Sequence, residues 1–202
     1  MAKGSGQRAI AFSRTATGTV TVNTEGNYHN FAGNRAPSLL NFFPQLTQGS
    51  YTGQNQAAWT VQGSSDGKYV VYGGEFLRVH SSNQQGLVRF ATKDTAPNKQ
   101  GPKATGTSSS NPFVLTVSQP VPGQVTVEWN ANYDWDNSDL TYSVNRDGTP
   151  LTTVNQSSTW YNRPAMSYLD ADVSAGTYSY TVTVKDPFGS AVTTPAVSLT
   201  VS

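Results

Sequence analysis

The stretch that decides the fold reads Val125-Thr-Val-Glu-Trp129, then Leu140-Thr-Tyr-Ser-Val-Asn-Arg-Asp-Gly148, then Ala175-Gly-Thr-Tyr-Ser-Tyr-Thr-Val-Thr-Val-Lys-Asp186. Apolar and polar residues alternate in every run, and each run ends in turn chemistry. A period of two puts one face of a strand on a core and the other in water. Outward from these runs, residues 112–202 hold about seven such segments, near 113–117, 124–129, 140–146, 151–154, 166–169, 177–184 and 196–201. Pro122-Gly123, Asp136-Asn137, Asp147-Gly148, Ala175-Gly176, and Pro187 with Gly189 punctuate them. The pattern predicts a two-sheet sandwich, and strands at this spacing favour immunoglobulin-like connections.

Upstream, residues 93–111 carry two Pro, two Gly and a Ser/Thr run without an aromatic. Such a stretch reads as extended and weakly structured, so the expected division is a β-rich domain over 1–95, a linker over 96–111 and a sandwich over 112–202. In the first domain, Arg8–Ser13 and Gly18–Asn23 read as short strands joined by a Thr/Gly turn. Residues 37–43, bracketed by Pro37 and Pro44, are expected to make one or two helical turns. Ala57–Val61, Tyr69–Tyr72, Phe76–Val79 and Gly86–Ala91 are four strand-like runs, separated by Ser64–Gly67, Gly73-Gly74 and Ser81–Asn83. Four strands in so short a span match the size of one propeller blade. The expected class is therefore all-β, an irregular blade-like β domain followed by an immunoglobulin-like or fibronectin III sandwich.

Composition narrows the function classes. The chain has 202 residues, of which 36% are hydrophobic and 12% charged. That hydrophobic content suffices for one large or two small cores, and Ser, Thr, Asn, Gln and Gly fill the surface instead of charge. Residues 1–95 hold eight Lys/Arg and four Asp/Glu, and residues 96–202 hold five and eight, giving +4 and −3. Neither half has a dense basic patch, so nucleic acid is not an expected partner. Without cysteine, disulfides, thiolate metal sites and a Cys nucleophile are excluded. No segment reaches the roughly 18 apolar residues of a membrane span. The start, Met1-Ala-Lys-Gly-Ser-Gly6, lacks the apolar core of a signal peptide, which fits an excised fragment or a release route without a signal.

The second domain resembles a bacterial fibronectin type III or immunoglobulin-like domain. Trp129 matches the tryptophan ending the second strand, Tyr142 the aromatic of the third, and Gly176-Thr-Tyr178-Ser-Tyr180 the tyrosine-bearing sixth strand. The first domain is similar to the end of a repeat β-propeller region in large secreted bacterial multidomain proteins. The likeness rests on Gly53-Gln-Asn-Gln-Ala-Ala-Trp59, Tyr69-Val-Val-Tyr-Gly-Gly-Glu-Phe76 and Gln84-Gln-Gly-Leu-Val-Arg-Phe90. At most two blades fit, whereas a closed propeller needs about four. The domain is therefore expected to be a fragment, to fold differently, or to complete its sheet with other chains through open β edges. The resemblance implies an extracellular or cell-surface setting.

No catalytic motif stands out. The only histidines, His29 and His80, lack a G-x-S-x-G neighbour and read as surface or turn residues. Glu25, Glu75 and Glu128 are the only glutamates; Glu75 reads as a turn residue and Glu128 as a solvent-facing strand residue, so a glycosidase pair is not expected. Phosphate loops, nucleotide fingerprints and zinc spacings are absent from the sequence. The strongest candidate ligand set is Asp134, Asp136, Asn137 and Asp139, with Asp186 approaching from a neighbouring strand end. Hard oxygens at alternate loop positions suit Ca²⁺; the competing reading is a polar loop whose Asx side chains cap their own backbone. No other cofactor is expected. Tyr133, Trp135, Trp160 and Tyr161 sit on or beside loops and are candidates to stack on sugar rings, against core or edge packing. Asn155-Gln-Ser157 forms a glycosylation sequon of low specificity.

The expected function is a non-catalytic adhesion or spacer module of an extracellular surface, binding glycan or protein. The alternative is a structural component of a bacteriophage particle, a decoration, tail or fibre protein of a virion, or another self-assembling filament that pairs copies through open edges of residues 1–95.

Overall fold

The computed structural model describes residues 8–80, 82–96, 100–107 and 112–202. Residues 1–7, which include the Met1–Gly6 start, Ser81, and residues 97–99 and 108–111 of the expected linker lie outside them. The fold is all-β, with no helix among the described residues. The chain divides into two compact units, residues 1–97 and 98–202.

The first unit holds β1 (Gly18–Thr19), β2 (Arg35–Ala36), β3 (Leu46–Gln48), β4 (Ala58–Gly63), β5 (Tyr69–Gly74), β6 (Phe76–Val79), β7 (Ser82–Asn83) and β8 (Leu87–Ala91). All four strand-like runs are strands, but they do not make a blade. One sheet is β4-β5-β8 and another is β3-β6-β7. The chain leaves the first sheet at Gly74 and Glu75. Gly74 lies so close to the β4 backbone that an added Cβ would stand 2.2 Å from the Ala57 carbonyl oxygen. Glu75 then holds residues 49–52: its Oε1 accepts from the Thr52 amide at 2.9 Å, its Oε2 from the Thr52 hydroxyl, and its carbonyl from the Gly49 amide. This anchor turns β6 toward β3, and β8 fills the place beside β5.

Residues 37–43 are not helical. Leu39 bridges Phe12, the Ser13 amide donates to the Ser38 carbonyl at 2.8 Å, and the Leu40 amide donates to Ala11 at 2.9 Å. A segment this short cannot offset helix nucleation, and extended pairing satisfies the same backbone groups. For the same reason Arg8–Ser13 and Gly18–Asn23 do not form a hairpin with each other; each pairs with residues 34–40. The unit packs on Ala9, Leu46, Ala57, Tyr72, Phe76 and Val79, with Phe42 and Tyr72 meeting Phe90 edge-on.

The second unit holds β9 (Leu115–Ser118), β10 (Val125–Asn130), β11 (Asp139–Arg146), β12 (Thr149–Ser157), β13 (Ala165–Asp170), β14 (Gly176–Lys185), β15 (Ala191–Thr193) and β16 (Val197–Val201). One sheet runs β9-β10-β13; the other runs β12-β11-β14, with β15 and β16 both on β14. Side chains of both sheets, among them Leu115, Val125, Val127, Trp129, Tyr142, Val144, Tyr180, Val182 and Val184, share one buried core. This is the two-sheet sandwich with immunoglobulin-like strand order. The β11–β12 hairpin closes at Asp147-Gly148, both at positive φ (50° and 78°), the conformation its two-residue turn requires.

One polar clamp crosses the core edge. Arg146 on β11 meets Asp170 on β13 at 2.8 Å, and the Tyr180 hydroxyl on β14 donates to the same Asp170 oxygen at 2.8 Å. Burial, with the Asp170 carboxylate beside it, pushes the Tyr180 phenol up to about 12.

The expected linker differs from the observed chain. Among residues 100–107, Pro102 and Ala104 are buried, and Ala104 belongs to the sandwich core. The stretch packs because residues 131–138 offer it hydrogen-bond partners, which no local pattern in 96–111 announces.

Two outcomes test this architecture. Gly74→Ala destabilises the first unit by about 2 kcal/mol, because the methyl meets backbone that cannot yield; urea denaturation followed at Trp59 reads it. Asp170→Ala costs the second unit about 3 kcal/mol, since it leaves a partly buried guanidinium and a buried phenol unpaired; denaturation of the same chain followed through the sandwich tryptophans checks the figure.

Candidate functional site at the loop end of the sandwich

Three loops meet at one end of the sandwich: residues 131–138, 158–164 and 186–190. The registers that gather them are Asn130 with Ala165, Asp139 with Ser157, and Thr141 with Lys185. Residues 100–107 lie across them.

Asn132, fully buried, is the hub of this end. Its Oδ1 accepts from the amides of Lys103 (3.1 Å), Ala104 (2.9 Å) and Tyr133 (2.7 Å), and its Nδ2 donates to the Ala104 carbonyl at 2.9 Å. Its own amide donates to the Tyr142 hydroxyl at 2.8 Å, and its carbonyl accepts from the Ser158 hydroxyl. Arg163 braces the neighbouring loop, donating from Nε to the Ala131 carbonyl at 2.6 Å and from Nη2 to Pro112 at 3.1 Å. Sequence reading missed both residues. Asn132 falls on the polar beat of the alternation of Val127, Trp129 and Ala131, and the backbone its side chain takes up, at Lys103 and Ala104, lies 29 and 28 positions away, so one sequence gives no sign of its role.

The four candidate aromatics do come together. Tyr133 meets Trp135 edge-on at 5.3 Å, Trp135 lies 6.4 Å from Trp160, and Trp160 meets Tyr161 edge-on at 5.3 Å. Their exposures differ. Trp135 is only 8% exposed and packs inside the cluster, so it is not a free platform; Tyr161 is 49% exposed. Trp160 and Tyr161 occupy the tip of a tight turn closed by reciprocal backbone bonds between Thr159 and Asn162, at 2.9 and 3.2 Å. Tyr161 is thus held by a short turn and by Trp160, which leans on the buried Trp135. The Arg163 guanidinium lies 5.8 Å from the Tyr133 ring.

The acidic residues are divided between the 131–138 loop, the start of β11 and the 186–190 loop. Asp134 Oδ1 accepts from the Asp136 amide at 3.2 Å. Asp136 accepts from the Gln100 amide at 3.2 Å and from the Asn137 side chain at 3.0 Å. Asp139 accepts from the Ser157 hydroxyl on the neighbouring strand. Asp186 Oδ1 caps its own turn, accepting from the amides of Phe188 (2.9 Å) and Ser190 (2.7 Å). Among the described residues no three acidic or histidine side chains converge to hold a metal ion. Calcium takes 6–8 oxygens; the hydrogen bonds that Asp134 and Asp186 accept from amides two and four positions on follow the Asx-turn pattern. Burial, reinforced by the neighbouring Asp136 carboxylate, pushes the Asp134 carboxyl up to about 7.

The residues considered for catalysis lie elsewhere. His29 is exposed with its ring edge on Phe31, and His80 sits at positive φ (51°) in the turn after β6. Glu75 is the loop anchor described above, with hydrogen bonds from Thr52 holding its carboxyl below the usual range. Glu128 is exposed on the outer sheet face, in register with Thr116 and Ser167. No protein family, curated protein or solved structure matches the chain at a significant level.

The raised Asp134 carboxyl has a pH signature. A folded-state value above the unfolded one favours the native state most fully below the ordinary carboxylate range, and that contribution is lost as pH rises through about 7. The melting temperature of the wild type relative to Asp134→Asn, which stays neutral, therefore falls between about pH 4 and about pH 7 and levels off above that. Thermal melts of both proteins across that range test it; parallel curves would remove the assignment.

Proposed function

We propose that the chain is a non-catalytic module of an extracellular surface, an adhesive or spacer element whose sandwich contacts carbohydrate through its loop end. The observation that carries the reading is the Trp160–Tyr161 turn tip. A half-exposed Tyr ring fixed by a short turn and backed by a packed tryptophan chain loses little side-chain freedom on binding. Apolar sugar faces suit such a ring. A binding role is also supported by the engagement of Glu75 in a structural anchor. No helix among the described residues is long and apolar enough to cross a membrane.

A second reading, a component of a virion or of another self-assembling filament, is supported by the first unit. Among the described residues, twelve of the seventeen exposed large apolar side chains lie there, including Tyr51 at 98% and Trp59 at 54% exposure. Strand β4 is a sheet edge carrying Trp59 and Val61 without charge or proline, and unprotected edges invite pairing with another chain.

Binding of the full chain to a glycan array separates the two. On the surface-module reading, the wild type binds a defined set of glycans, and Tyr161→Ala lowers that binding at least tenfold (about 1.4 kcal/mol) with an unchanged melting temperature. Absence of wild-type binding, together with a mass by light scattering that grows with concentration to a defined oligomer, would overturn the module in favour of the particle component.

A further inference from the structure

The outer face of the β9-β10-β13 sheet holds a shallow groove of about 320 Å³. Strand alternation sets its lining. Leu115, Val127 and Trp129 belong to the core, so the side chains between them face out. Val114, Thr116, Glu128, Asn130, Ala165 and Ser167 are the outward set that lines the groove. Register orders them in rows. Thr116 and Ser167 stand opposite Glu128 on its two sides, and Ala165 stands opposite Asn130. Three strands span about 10 Å and alternate rows lie about 7 Å apart, the footprint of a single sugar ring. Short side chains at 116, 165 and 167 leave the space around Glu128 and Asn130 open.

The polar side chains here differ from those of the loop end, which bond one another. Among the described residues, no hydrogen bond or ion pair reaches the side chains of Thr116, Glu128, Asn130 or Ser167. No Lys or Arg lines the groove, and residues 96–202 carry eight Asp/Glu against five Lys/Arg. A cation placed in it meets a carboxylate without an internal competitor. Directly opposed strand residues have Cβ atoms about 5 Å apart, so the two hydroxyls and the Glu128 carboxylate offer acceptors around one point. A primary ammonium has three N–H donors and no acceptor, and matches them one for one. Asn130 adds an amide, donor and acceptor both, one row along.

We propose that this groove binds an amine-bearing sugar, its ammonium held by Glu128, Thr116 and Ser167 and its ring hydroxyls by Asn130. Val114 and Ala165 give the apolar face of the ring a contact in the second row. A lysine side chain would fill the ammonium position but present only methylenes to Asn130, so the sugar uses more of the groove. The site lies on a sheet face rather than on the loops, makes no use of Tyr161, and does not rest on the role proposed for that ring. Exposed ion pairs are weak, so one sugar binds loosely and salt loosens it further.

Amide NMR of the full chain, titrated with glucosamine at about pH 6, where the amine is charged, reads such binding residue by residue. Glucosamine is expected to move the amides of residues 114–116, 128–130 and 165–167. It is expected to bind at least about threefold more tightly than N-acetylglucosamine, which keeps the ring and loses the charge. That preference is expected to vanish in about 0.5 M salt. Glu128→Gln removes the carboxylate charge, and Ser167→Lys sets an internal ammonium opposite it. Each is expected to erase the preference at an unchanged melting temperature; should Ser167→Lys fail to fold, Glu128→Gln alone decides. Tyr161→Ala is expected to leave the preference intact, so this groove and the loop-end site can fail separately. Shifts confined to other residues, equal binding of the two sugars, or a preference that survives salt or Glu128→Gln would each overturn the site. Nα-acetyl-lysine amide binding as tightly as glucosamine would overturn the assignment to a sugar.

Discussion

The loop end of the sandwich depends on one buried amide. Asn132 has no exposed surface, so each of its polar atoms must find a partner inside the protein or cost roughly 1–3 kcal/mol. All of them do. The side chain takes up the backbone of Lys103 and Ala104, and the main chain takes up the hydroxyls of Tyr142 and Ser158. Tyr142 is a core residue, its ring near Trp129 on the facing sheet. The hub therefore joins the packed interior to the loops that carry the aromatic cluster. The apolar core accounts for the sandwich; Asn132 accounts for its loops having one arrangement.

The second unit was legible because its signals are local. Alternation at Val125, Val127 and Trp129 needs no knowledge of partners, and Asp147-Gly148 names its own turn. All seven expected strands are present, and only β15 went unread, a three-residue strand beside Pro195. The first unit was less legible because its pairings are not between neighbours. Its four central runs were recognisable as strands, yet their sorting into two sheets depends on Gly74 against Ala57 and on Glu75 reaching Thr52. Residues 37–43 have helix punctuation, but remote pairing with residues 11–13 supplies hydrogen bonds that a helix of two turns cannot match. The linker composition of 96–111 was real, while its docking was written in Asn132.

The site was legible as a set of residues and not as an arrangement. Sequence identified Tyr133, Trp135, Trp160 and Tyr161 as loop aromatics, and they are contiguous. Which ring meets solvent is decided by the depth of the loop at 131–138, which follows from residues 103–104 bonded to it and the core below it. The acidic residues show the opposite outcome. Spacing alone suggested a shared cation, but Asp139 lies in a strand register and Asp186 turns back to cap its own loop. Asp134 and Asp136 remain neighbours, and with Asp134 buried the cheaper solution is to retain a proton rather than two adjacent charges.

The two units differ in how completely they pay for their own folding. The second places aromatic and β-branched residues of two sheets in one core. The first distributes short sheets over a small cluster, and its opening stretch pairs through the two-residue strands β1 and β2 and a single bridge. Small cores leave a large fraction of surface uncovered, and Phe12, Tyr28, Phe31 and Tyr51 accordingly remain in water. Local opening should begin where buried contacts and ladder bonds are fewest, which places it in residues 8–36 rather than in the sandwich. Any partner that covers those side chains stabilises the first unit by mass action, because it binds the ordered arrangement and not the open one. The well-filled core of the sandwich and the exposed apolar side chains of the first unit thus have the same origin, the unequal supply of apolar residues that can face one another.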